Sequence, residues 1–239
     1  MPWDFGLVFF VLGVLLPWRG RVRLRHLLAR PSVDTGEKLV LYGSTIAFQW
    51  VLSGVVAWRA VARGLTVREL GLARPLSNEL AVLTVAGTLV LGAFQWFNLR
   101  RVGHTTGPVA DFMRQLARRI LPSKPVEFLT YFALAITAGI CEEFLYRGFA
   151  IGALSRLGMA PWGVVVLSSV LFGLAHSYQG RGGVLGTSLL GVVFGLVRLV
   201  SGSLLSVAVW HAAVDIVAGM AGSRYLLLPS ESRGTCFVS

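Results

Sequence analysis

An all-α bundle of about seven membrane-spanning helices is the fold that this sequence predicts, and three observations predict it. The mean hydropathy is +0.71, and 55% of the 239 residues are hydrophobic against 14% charged. That balance is too apolar for an ordinary soluble domain. The apolar residues fall in runs whose lengths suit helices crossing a hydrocarbon core ~30 Å thick. The basic residues behind the net charge of +11 are grouped between those runs. Charges so placed set topology; they do not form a nucleic-acid surface.

The first run, Phe5 to Leu16, follows Asp4 and precedes Arg19, Arg21, Arg23 and Arg25. A secretory signal has the opposite charge order, so this run reads as a retained helix of marginal length, with Trp3 and Trp18 at the two interfaces. A second span is expected over Leu39 to Val61 and a third over Leu80 to Leu99, joined through a polar connector, Glu69 to Pro75. From Pro108 to Pro125 the spacing of Val109, Phe112, Met113, Leu116 and Ile120, with Arg114, Arg118 and Arg119 opposite, predicts an amphipathic helix on the membrane surface. The fourth span begins near Val126, the fifth covers Pro161 to Ala175, the sixth Val184 to Val200 and the seventh Leu204 to Met220. In the sixth, Gly183, Gly191 and Gly195 favour close helix packing. Arg224 to Ser239 is a polar tail ending in Cys236-Phe237-Val238-Ser239, a pattern too permissive to argue for prenylation. Cys141 and Cys236 have neither disulfide nor metal spacing. Fifteen of the 22 Lys and Arg fall on one side of these spans, which favours an N-terminus outside and a C-terminus inside.

Within the fourth run stands Cys141-Glu142-Glu143-Phe144-Leu145-Tyr146-Arg147. Ionisable groups at bilayer depth are costly and mark function. Glu143 and Arg147 are four apart in the favourable acid-before-base order, whereas Glu142 is turned about 100° away. A solvated loop would need turn residues, and Gly139 and Gly148 are the only candidates beside the cluster. Two other runs carry matching groups: Phe172 with His176, and His211 with Asp215 on one helical face. Either histidine alone reads equally well as a packing residue.

Taken together and in order, E-E-x-x-x-R, F-x-x-x-H and H-x-x-x-D resemble the motifs of the CPBP family of intramembrane proteases. That family includes the type II CAAX prenyl endopeptidases and the Abi-like bacteriocin-immunity proteins. Ser201-Gly202-Ser203-Leu204 resembles its usual lead-in to the third motif, and the likeness covers roughly residues 125 to 220. Asp215 stands where the CAAX endopeptidases carry Asn. The chain therefore divides into N-terminal helices with the amphipathic connector (1–125), a catalytic core (126–222) and a tail (223–239).

The resemblance implies an endopeptidase in which Glu142 activates water. His176 and His211 would hold that water and stabilise the oxyanion, Asp215 would orient His211, and Arg147 would be held structurally by Glu143 with Phe172 as support. His176, His211 and Asp215 are also a sufficient ligand set for Zn with an open position, so a divalent metal and a metal-free route are both expected outcomes, the metal slightly favoured. The expected partners are membrane lipids and a membrane-associated or lipidated peptide, not nucleic acid, and the arginine- and glycine-rich composition suggests a bacterial plasma membrane. Two other classes fit buried Glu, His and Asp: a proton-coupled transporter, which would show an inverted repeat, and a non-catalytic immunity-type scaffold.

One difficulty arises from depth. Counted from Val126 and Pro161, Glu142 lies ~24 Å and His176 ~22 Å along antiparallel helices, a miss of ~16 Å across the core. The fourth helix must therefore start below the surface, or the fifth inside the bilayer.

Overall fold

A computed structural model describes residues 2–227, and among them every regular element is helical. Six helices are long and apolar enough to cross a membrane: α1 (Trp3–Ala29), α2 (Thr35–Ala62), α3 (Asn78–His104), α5 (Pro125–Arg156), α7 (within Ser177–Ser201) and α8 (Leu205–Leu226). Between them lie the amphipathic α4 (Pro108–Ile120) and the short apolar α6 (Pro161–Ala175). The first span is longer than its apolar run. It continues through Arg19 to Arg25 after a π-helical turn at Val11–Leu15, and Pro17 sits in the first turn of the part that follows. The tail pattern Cys236 to Ser239 lies outside the described residues.

Local chemistry sets the helix starts. Asp34 and Glu37 form a reciprocal capping box for α2, Ser77 caps α3 through Leu80 N–H, and Pro108, Pro125 and Pro161 occupy first turns where a missing N–H costs nothing. Gly202, at φ 67°, ends α7 in the left-handed conformation. The main pairings are α3 with α8, α5 with α8, α2 with α5, and α6 with α7. Glycines make two of these contacts close: a Cβ on Gly139 would come within 2.6 Å of the Ala208 carbonyl oxygen, and one on Gly195 within 2.9 Å of Val165. Gly139 and Gly148 are thus packing positions inside a helix; neither makes a turn.

The depth difficulty resolves at the shared turn. The helix carrying the glutamates runs 32 residues, Pro125–Arg156, and α6 begins only after the turn at 157–160. Measured from that turn, Glu142 lies ~21 Å back along α5 and His176 ~22 Å along α6, so the two meet. With 15 residues, ~22 Å, α6 is shorter than a ~30 Å hydrocarbon core.

The connector after α2 is not a simple polar link. Leu65 and Leu70 are buried at 3% and 2% exposure, and the chain folds back against α5 at Gly148 and Gly152. There it receives the other end of the bundle. Leu204 N–H donates to the Gly71 carbonyl at 2.9 Å, Arg198 donates to the Glu69 carbonyl at 2.8 Å, and Arg74 reaches the Ser201 carbonyl. Arg156 and Thr66 hold the Glu69 side chain, and the hydrogen bonds from Arg156 above all bring its carboxyl down to about 2. The 202–204 turn is thereby drawn into the bundle, which sets how far α8 carries His211.

The predicted orientation is open to a direct check. A cysteine at Lys124 is expected to be shielded from an impermeant maleimide in intact cells, and one at Leu76, at the opposite end of α3 and α5, to react. The reverse labelling would invert the chain.

Candidate active site

Glu143 is fully buried and faces the interior of the bundle, where its Oε1 accepts from Arg147 Nη1 at 3.0 Å and from His211 Nδ1 at 2.7 Å. Arg147 is also fully buried, with its guanidinium 4.1 Å from the centre of the Phe172 ring and against Gly191, where a Cβ would lie 2.9 Å from Nη2. From Phe144 to Ala150 the helix widens into a π-helical turn, a feature often found at functional sites. No residue type in that stretch announces it.

Phe172 holds the second and third motifs together. Its ring is 4.6 Å from that of His176 and 5.7 Å from that of His211. His176 Nδ1 lies 2.9 Å from the Phe172 carbonyl oxygen. A carbonyl only accepts, so Nδ1 carries the proton, and the neutral ring presents an unprotonated Nε2. That Nε2 faces Glu142 Oε2 at 3.9 Å. His211 is fixed likewise, its Nδ1–H on Glu143 and its Nε2 towards Asp215 Oδ2 at 3.7 Å. The partner that orients His211 is therefore Glu143, not the expected Asp215, whose carboxylate is beyond hydrogen-bond distance. The paired acids divide as their helical positions predict: Glu143 is enclosed, and Glu142, 20% exposed, opens outward.

It opens into a cavity of about 250 Å³ between α1, α2, α5 and the end of α6. Leu24, Leu41, Leu52 and Leu134 give it apolar walls, and Glu142, His176 and Tyr146 lie on its lining. Arg19 also lines it, stacked on Phe48 with its guanidinium 4.0 Å from the ring centre. One wall supplies a group that no motif flagged: Gln49 of α2 donates from Nε2 to Glu142 Oε1 at 2.6 Å.

The donor set does not fit a bound metal as it stands. Among the described residues no group of three or more His, Cys, Asp or Glu side chains is gathered closely enough to hold an ion. Glu142 with His176, and His211 with Asp215, form two pairs.

Long apolar helices that bring ionisable side chains together at bilayer depth, against a cavity between helices, define a multi-pass integral membrane protein with an internal polar site. A protein-family model described as Rce1-like, type II CAAX prenyl endopeptidase Rce1-like, matches residues 124–217. That stretch holds all three motifs, and its match to the type II CAAX prenyl endopeptidase model agrees with the family that they resemble. No curated protein and no solved structure matches the chain.

Sequence reasoning missed Gln49, Tyr146 and the burial of the connector. Gln49 is one polar residue in an apolar helix facing nothing in its own sequence neighbourhood, and only the α2–α5 contact shows its partner. Tyr146 is a motif neighbour whose hydroxyl is buried without a hydrogen-bond partner. For the connector, the burial of Leu65 and Leu70 was legible only as two leucines in a polar stretch.

Proposed function

We propose that this protein is an intramembrane endopeptidase in which Glu142 is the general base and His176 holds the attacking water. The observation that carries this reading is the facing pair at the cavity wall, Glu142 Oε2 and His176 Nε2, 3.9 Å apart. That gap is too long for a direct hydrogen bond and about the span bridged by one water. The water's oxygen attacks the scissile carbonyl carbon while its proton passes to Glu142. The C–N bond of the tetrahedral intermediate then breaks, and the proton held by Glu142 goes to the leaving amine; the acid product passes its remaining proton to that amine, so the products leave as a carboxylate and an ammonium. His211, set by Glu143, donates towards the oxyanion when protonated. Asp215 balances that positive charge.

The apolar cavity suits a substrate with a hydrophobic or lipidated terminus, a membrane-associated peptide reached from the lipid side. The reaction needs no metal, because Glu142 and His176 suffice as base and water holder. Elemental analysis of purified protein beside Asp215→Asn tests this. No stoichiometric zinc, cleavage that survives chelators, and most of the activity kept in the variant are expected. Zinc near one equivalent that is lost in Asp215→Asn would overturn the metal-free route.

The function itself is tested in proteoliposomes with a farnesylated, internally quenched CAAX peptide, product masses locating the bond. Cleavage by the wild type that fails in Glu142→Gln supports the reading. No cleavage, or equal cleavage by both, refutes it for this substrate class.

A further inference from the structure

The hydrogen bond that Glu142 receives comes from outside the family-matched segment. Gln49 sits within α2 (Thr35–Ala62), 93 residues from Glu142 in sequence, and its Nε2 lies 2.6 Å from Glu142 Oε1. Its residue is 9% exposed, and its own Oε1 is buried with no hydrogen-bond partner. A buried acceptor left unpaired works against stability, so an apolar side chain of the same length would pack there at lower cost. The amide's use must then lie in its N–H.

A carboxylate can offer either oxygen to a water, and rotation of the side chain exchanges them. With Gln49 bound to Oε1, that exchange breaks a charge-assisted hydrogen bond, and Oε2 stays turned to His176 Nε2. Arg19, Arg23, Tyr42, Thr45, Tyr146 and Tyr178 also line the cavity, and none of them makes a hydrogen bond to Glu142. We propose that Gln49 is a positioning residue for the general base: its amide fixes which oxygen of Glu142 receives the proton of the attacking water. The N-terminal helices are then part of the reaction centre and not merely its membrane anchor. This inference rests on the proposed function.

The test uses full-length protein in proteoliposomes with the farnesylated quenched peptide, and compares wild type, Glu142→Gln, Gln49→Met and Gln49→Glu. Gln49→Met keeps the length and removes both amide groups. Its kcat should fall roughly 10- to 100-fold, as losses of orienting partners commonly do, with KM nearly unchanged and the melting temperature equal or higher. Gln49→Glu replaces the donor by a carboxyl that regains an O–H only when protonated, so its activity relative to wild type should recover as pH is lowered. Unchanged kcat in Gln49→Met, with Glu142→Gln inactive, overturns the positioning role and leaves the protease reading intact. A parallel fall in kcat and melting temperature also overturns it, since that is what a purely structural contact gives. Equal activity in wild type and Glu142→Gln removes the protease reading itself.

Discussion

Replacing Glu142 by Gln is expected to lower cleavage by roughly 10²- to 10⁴-fold, the usual contribution of a positioned general base, while leaving the melting temperature in detergent nearly unchanged. The two halves of that expectation have separate causes. Gln cannot accept a proton from water, so the chemical step loses its base. Its volume is the same, the site is 20% exposed to the cavity, and its amide oxygen still accepts from Gln49 Nε2. The measurement is initial rate on the quenched peptide beside thermal unfolding of the same preparation. A large loss of stability would mean that Glu142 holds the bundle together, and retained cleavage would assign the base elsewhere.

The adjacent substitution should do the opposite in the unfolding experiment. Glu143 and Arg147 are both 0% exposed, and Glu143 also anchors His211 at 2.7 Å. Glu143→Gln leaves a buried guanidinium without its counter-charge, a loss of about 3–5 kcal/mol. The Phe172 face 4.1 Å from that guanidinium remains and offsets part of the loss. Removing both charges together, as Glu143→Gln with Arg147→Met, should restore much of the stability, because no unpaired ion is left in the core. Cleavage should stay low in the double variant, since His211 loses the carboxylate that sets its ring. Equal stability losses in Glu142→Gln and Glu143→Gln would sink the division of roles between the two acids.

The α-helical bundle was legible because hydropathy acts locally: each apolar run must satisfy its own backbone within the bilayer, and a helix does so. The motifs were legible for a related reason. Glu143 with Arg147, and His211 with Asp215, are four residues apart, and helix geometry alone places such pairs on one face. Lengths were less readable. The first run looked marginal because arginines follow it, yet the helix continues through them to Ala29, where long side chains can reach the interface. The depth of Glu142 is unreadable from its run for a similar reason: hydropathy does not fix where a helix sits along its axis, and the turn at 157–160, not the start at Pro125, sets the register with α6.

By itself, the sequence determined a multi-pass helical protein, the separation of Glu142 from Glu143 by about 100° around one helix, and the three motifs within the segment that the CAAX prenyl endopeptidase model matches. Only the tertiary structure decided who meets whom across helices. It put Glu143 rather than Asp215 on His211, brought Gln49 to Glu142 over 93 residues, and folded the 64–75 connector under the turn that launches α8. The physical reason is one of range. Periodicity constrains neighbours three and four residues apart, whereas contacts between helices depend on glycine-permitted approach, axial register and the balance of many weak packing terms, none of which is written in any single stretch of the chain.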